Sequence, residues 1–326
     1  MKNLTLLFLL LSVGLLYSCG DQKTVQQPTT GTTKKATETT GRTQAFLLRQ
    51  PHPYDPDSIK KISGEYQQLT KYEVPTNLKP HGFWLKFEGP TWENDLIGYR
   101  FYLDTRNRYD IFGKQTADLV LDTVNLDYHK IHPWGSDILK VGNTLGMGSP
   151  AILLNDSLYA FEEYAAKRTE IVQSGGETSI IRTYFDGLKI GEEVLDIMVE
   201  LSIQAGFYQT NSTIKILKST NPNLVFATGI VAHEPKHQTG ELNDHRWLAT
   251  FGNQSYHEEK LGMAVFADDK YEPKVLPQPK MGSHVLTLQP VDGQVEYALL
   301  ATWERSKDQP QTVADFEAIV AKEITH

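Results

Sequence analysis

The chain has 326 residues, of which 32 are basic and 40 acidic, for a net charge of −8. That balance argues against a nucleic-acid binder, which depends on clustered lysine and arginine, but it leaves room for an anionic ligand held by a few convergent cations. The single cysteine, Cys19, rules out an internal disulfide.

Lys2 precedes an apolar run over residues 4–16, and Leu16-Tyr17-Ser18-Cys19 has the form of a lipobox. The run is too short to persist as a spanning helix. Residues 1–18 are therefore expected to be a lipoprotein signal peptide, with a lipid attached to Cys19 after cleavage. A plain signal peptide with a chance cysteine is the alternative. Residues 19–45 are rich in Thr, Gln, Lys and Gly and carry almost no large apolar side chain, so they read as a disordered tether. The expected location is the bacterial cell envelope, facing the periplasm or the outer-membrane surface, with membrane contact through the lipid alone. Residues 46–80 form an N-terminal lead-in in which Pro51, Pro53, Pro56 and Pro75 interrupt regular structure. Within it, residues 59–69 have the pattern of one helix.

From residue 81 to the C-terminus the chain reads as one domain. Period-two alternation predicts strands over residues 83–87, 97–103, 119–124, 151–154, 158–161, 167–173, 179–185 and 192–203. It continues over residues 207–218, 225–234, 261–267, 285–288 and 297–303. Gly175-Gly176, Asp186-Gly187, Asn221-Pro222 and Asp292-Gly293 supply turn signals between them. Many short strands without recurrent helices predict a mostly β fold, a large antiparallel β-sandwich. Only residues 312–324 read as a helix, with Val313, Phe316, Ile319 and Val320 on one face and Asp315 and Glu317 near its positive end.

Chemically capable residues concentrate between Trp92 and Met147. The segment contains Trp92-Glu93-Asn94-Asp95, Tyr99-Arg100, Tyr109-Asp110-Ile111-Phe112-Gly113-Lys114, Tyr128-His129, Trp134-Gly135-Ser136-Asp137, Lys140-Val141-Gly142 and Leu145-Gly146-Met147-Gly148. On these motifs, in this order and spacing, the chain resembles the bacterial domain-of-unknown-function 4861 family. The resemblance runs from about residue 83 to the C-terminus, through the less specific Thr228-Gly229-Ile230-Val231, Leu261-Gly262-Met263-Ala264-Val265 and Ala301-Thr302-Trp303. It implies a supersandwich similar to galactose mutarotases. It also implies a place in the degradation of acidic, uronate-containing polysaccharides, with lyase or dehydratase chemistry on uronate oligosaccharides.

β-Elimination from a uronate needs a base for the C5 proton, an acid for the departing C4 oxygen, and a cation to stabilise the enolate-like charge on the carboxylate. His129 is the expected base, unless it is a structural histidine at a strand end. Arg100 lies in a strand-like run that also projects Tyr102 on the same face. Its planar fork suits a carboxylate, although a surface ion pair with Asp95 or Asp104 is equally compatible. Lys140 and Lys114 are the further cations, and His233 is placed at a strand end that faces the same cleft. Trp134 is either a sugar-stacking plate or a core anchor. Tyr128 and Asp137 complete the expected binding set.

Gly142, Gly146 and Gly148 match no phosphate-binding spacing and read as turns or bulges. His233-Glu234-Pro235-Lys236-His237 matches a zinc-protease motif in letters only, because Pro235 interrupts the helix such a motif requires. His237, His245 and His257 read as loop histidines, with a minor prospect of metal ligation beside Asp244. No cofactor is called for. The expected partner is an acidic oligosaccharide, with a non-catalytic glycan-binding protein and a mutarotase or epimerase as the alternative readings.

Overall fold

The computed structural model describes residues 42–56, 66–219, 221 and 224–325. The signal peptide, Cys19 and most of the tether lie outside the described residues.

In chain order the strands are β1 (Thr43–Arg49), β2 (Gln67–Leu69), β3 (Lys71–Val74), β4 (Thr91–Asn94), β5 (Ile97–Phe101), β6 (Tyr109–Lys114) and β7 (Gly135–Asp137). Next come β8 (Ala151–Leu154), β9 (Ser157–Ala160), β10 (Ala166–Gln173), β11 (Thr178–Ile190), β12 (Glu193–Gln204), β13 (Gln209–Ser219) and β14 (Val225–Val231). The last are β15 (Gln238–Leu242), β16 (His245–Gly252), β17 (Leu261–Asp268), β18 (Lys274–Val275), β19 (Ser283–Leu288) and β20 (Gln294–Trp303), followed by the helix α1 (Val313–Ile324). They assemble into three antiparallel sheets. The largest has the order β15-β16-β17-β20-β13-β12-β11-β10-β3, a second has β2-β1-β4-β5-β6-β7, and a third has β18-β19-β14-β8-β9.

Alternation explains how the sheets stack. In β11, Ser179, Ile181, Thr183 and Phe185 are buried, while Arg182 on the other face bonds Glu200 across the ladder at 2.9 Å. One face of β20 receives both smaller sheets. Trp303 lies against Gly113 of β6 and Leu299 against Gly148, and the Tyr297 hydroxyl donates to the Gly148 carbonyl at 2.8 Å. Trp92 of β4 donates to Thr210 of β13 at 2.9 Å, and the Tyr99 hydroxyl to the Tyr208 carbonyl at 2.7 Å, tying the second sheet to the first. The opposite face of the large sheet receives α1. There Phe316 lies on Gly262, where any Cβ would collide with its ring, and stacks on Phe251.

Several expectations need correction. Thr43, Gln44 and Ala45 belong to β1 and not to a tether, and the described parts of the expected lead-in are integral to the fold. β1 pairs with both β2 and β4, and β3 extends the large sheet. Residues 67–69 form a strand where a helix was expected. Residues 83–87 contain no strand: they lead into a short 3-10 turn in which Phe87 takes a left-handed conformation (φ 56°). Residues 119–124 are a turn segment because the Glu93 carboxylate accepts the Val120 and Leu121 amides at 2.8 and 2.7 Å, so a side chain replaces the ladder. Asp186-Gly187 does not end a strand but forms a bulge within β11. The helix begins as expected, with Thr312 and Asp315 forming a capping box.

Candidate functional site

β5 and β6 are buried on both faces. Tyr99, Phe101, Tyr109 and Ile111 face the large sheet. The opposite face, made by Arg100, Asp110 and Phe112, is covered by the excursion over residues 115–134. Cross-strand register brings the polar members together: Arg100 stands opposite Asp110, and Phe112 opposite Asp137 of β7. β7 reaches β6 closely because residue 135 is glycine at φ 140°. A Cβ there would lie 1.8 Å from the Gly113 carbonyl oxygen.

Arg100 is fully engaged. Its Nε and Nη2 donate to Asp110 Oδ2 at 3.0 and 2.6 Å, Nη2 also to Asp137 Oδ2 at 2.6 Å and to the Tyr102 hydroxyl at 3.0 Å, and Nη1 to the Tyr128 hydroxyl at 3.1 Å. The rings of Tyr102, Phe112 and Tyr128 surround the guanidinium at 4.8 to 5.3 Å. The Tyr102 hydroxyl closes the network on Asp110. Two carboxylates thus share one cation out of water. Burial first, and Asp137 second, push the Asp110 carboxyl up to about 6, against the pull of Arg100.

The network reaches solvent at His129. Asp137 Oδ2 pairs with His129 Nδ1 at 3.1 Å, and the His129 side chain is 50% exposed while that of Asp137 is 1% exposed. Asp137 raises the His129 pKa from its ordinary value, chiefly through this hydrogen bond. The pairing assigns the Nδ1–H tautomer to neutral His129, and among the described residues nothing engages its Nε2.

Beside His129 lies a residue that sequence reading passed over. The Tyr256 ring stacks on His129 with centroids 5.6 Å apart, and the Lys140 ammonium sits 5.2 Å from the same ring. Tyr256 is 40% exposed. Its loop between β16 and β17 is held from several sides. The Tyr256 amide donates to the Ile138 carbonyl at 2.7 Å, His257 Nε2 bonds the Ser136 hydroxyl at 2.8 Å, and Glu259 accepts from Trp303 Nε1 at 2.8 Å. The patch is continued by His233, whose Nε2 donates to the Lys140 carbonyl at 2.8 Å.

Of the residues singled out from the sequence, His129, Lys140 and His233 therefore meet on one exposed patch. The others have different work. Arg100 cannot read a ligand carboxylate, because its donors already serve Asp110, Asp137 and two tyrosines. Tyr102 and Tyr128 are buried in the same network, and Asp137 faces His129 from beneath. Lys114 is a buried ion pair with Glu93, and it donates to the Asn94 carbonyl at 2.6 Å. Trp134 is half-buried against Phe112, with one face stacked on His132 at 6.1 Å, so it acts as a packing anchor. Gly142, Gly146 and Gly148 all take positive φ, Gly142 and Gly148 in turns and Gly146 in an isolated bridge to Tyr109.

His233 and His237 lie between β14 and β15 without helix, and their rings bond different partners, Lys140 and His284. His245 opens β16 and is not a loop residue. Among the described residues, no three His, Cys, Asp or Glu side chains gather as a metal cage.

A family profile described as Domain of unknown function (DUF4861) matches residues 16–325, and the chain belongs to that family. The match begins well before residue 83, in keeping with the strands found in the lead-in. Among solved structures, a protein described as a candidate aldose 1-epimerase from Klebsiella pneumoniae subsp. pneumoniae MGH 78578 is similar with TM-score 0.34 and 9% identity, over 72% of this chain and 83% of that one. A 4-alpha-glucanotransferase from Thermococcus litoralis gives TM-score 0.35 and 12% identity, over 72% of this chain and 41% of that one. Likenesses this distant carry no argument about ligand or reaction. No curated protein matches the chain by sequence.

Proposed function

We propose that the protein is a carbohydrate-active carbon–oxygen lyase that performs β-elimination on a uronic-acid-containing oligosaccharide. The observation that carries this reading is the His129–Asp137 pair: a half-exposed imidazole whose Nδ1 is fixed by a buried carboxylate, beside the Tyr256 phenol and the Lys140 ammonium. A base must be oriented and reachable, and His129 is both.

In this scheme His129 Nε2 removes the C5 proton. The electron pair becomes the C4=C5 double bond as the C4–O bond breaks. Lys140 stabilises the charge that builds on the uronate carboxylate, and the Tyr256 hydroxyl protonates the departing oxygen. His129 then returns its proton to solvent and Tyr256 regains one. The products are a 4,5-unsaturated uronate and an alcohol, or water where C4 carries a free hydroxyl and the enzyme is a dehydratase. Arg100, Asp110 and Tyr102 do not touch the substrate; they hold Asp137, which holds His129. The sequence further supports an envelope protein tethered through a lipid on Cys19.

His129→Ala is expected to lower the rate of unsaturated-product formation by about 100-fold or more, the usual share of a positioned base. An unchanged rate in the folded variant would remove His129 from the chemistry. The openness of the patch, with His129 and Tyr256 both substantially exposed, favours a second reading as a non-catalytic glycan-binding protein. That reading expects oligosaccharide binding without any product.

A further inference from the structure

Two imidazoles outside the His129 patch meet nitrogen to nitrogen. His284 of β19 is buried, and its Nε2 donates to the Glu234 carbonyl at 2.8 Å. In the neutral ring that bond leaves the Nδ1 lone pair as an acceptor. Facing it, 3.1 Å away, is Nδ1 of His237, the residue just before β15, with ring centroids 4.7 Å apart and planes inclined by 59°. His237 is half-buried, and no described residue engages its other nitrogen.

We propose that Nδ1 of His237 and Nδ1 of His284 form a two-imidazole site for a divalent late transition-metal ion of the zinc, copper or nickel class. Imidazole nitrogens bind zinc at about 2.0–2.1 Å, so two of them on one tetrahedral ion stand roughly 3.3 Å apart. The observed 3.1 Å is within a small adjustment of that bite. The Glu234 carbonyl already fixes the tautomer that exposes the His284 lone pair, the arrangement that orients metal-bound histidines generally. The proton on His237 Nδ1 moves to its own Nε2, so the neutral pair takes up the ion without net proton release. Two metal–nitrogen bonds form as two waters leave the ion, and the other coordination positions remain with water or an external ligand. The short segment between β14 and β15 also carries His233, which bonds Lys140, so the site borders the patch described above but does not depend on its chemistry.

The test uses metal-free, untagged protein titrated with zinc chloride by calorimetry, and with Cu²⁺ followed by electron paramagnetic resonance. The site predicts one equivalent of zinc bound, an affinity loss of at least about tenfold in His237→Ala, no comparable loss in His245→Ala, and nitrogen hyperfine structure from two imidazoles on Cu²⁺. Absence of a stoichiometric equivalent, or binding untouched by His237→Ala, would overturn it. Should either variant fail to fold, a hyperfine pattern from other than two nitrogens in the wild-type protein would do the same.

Discussion

His129 owes its chemical character to a residue it does not neighbour in sequence. Asp137 holds Nδ1 and raises the pKa, and Arg100 and Asp110 hold Asp137. As a base, His129 acts only when neutral, so activity is expected to rise as pH climbs through that raised value. Asp137→Asn removes the cause of the shift, and the acidic limb of the kcat/KM profile should move to lower pH while kcat falls; a limb that stays in place would detach Asp137 from the base. Lys114 illustrates the opposite kind of buried charge. Its ammonium and the Glu93 carboxylate are both fully buried, so Lys114→Met leaves an uncompensated carboxylate that also anchors the 120–121 turn. The expected loss of stability is about 3–5 kcal/mol by denaturant unfolding; unchanged stability would show that the pair contributes nothing to the fold. At this scale the sequence was half legible. The density of capable residues between Trp92 and Met147 drew attention to the segment that holds the His129–Asp137 pair, and His129 and Lys140 were visible as types. The engagement of Arg100 was not, since it follows from Asp110 lying across a ladder and Asp137 two strands away. Tyr256 lay more than a hundred residues off, in a loop whose only signal was the Tyr256-His257 pair amid polar residues.

Among the elements, the strands with alternating burial, such as β11 and the first half of β13, were readable because one face meets a hydrophobic neighbour in register. The failures share a cause: a side chain or a distant strand supplied what local pattern lacked. Glu93 took the amides of residues 120–121, and β1 and β3 gained their order only by pairing with β4 and β10. The helix α1 was legible at its start through Thr312 and Asp315, but the role of Glu323 near its end was not. Glu323 is buried, accepts from the Gln209 amide at 3.0 Å, and has its carboxyl pushed up to about 7, chiefly by burial. A carboxyl raised on folding stabilises the native state most below its unfolded value, near 4.5, and loses that contribution as pH rises to about 7. Glu323→Gln removes this titration. The stability of the variant relative to wild type should therefore increase between pH 5 and pH 7 on, as read by thermal unfolding; a difference independent of pH would show that Glu323 does not titrate in this window.

Across the whole molecule, two smaller sheets share one face of a nine-stranded sheet, and the exposed patch of His129, Tyr256, Lys140 and His233 draws on loops from all of them. A chain of net charge −8 places a cation and a cationisable imidazole together there, which suits an acidic sugar despite the global sign. The most direct measurement is ultraviolet absorbance of a 4,5-unsaturated uronate, followed as purified, folded protein is mixed with a panel of uronate-containing oligosaccharides. Elimination chemistry predicts a rise with at least one of them that His129→Ala abolishes. No rise with any of them, or a rise that persists at full rate without the His129 imidazole, would contradict it.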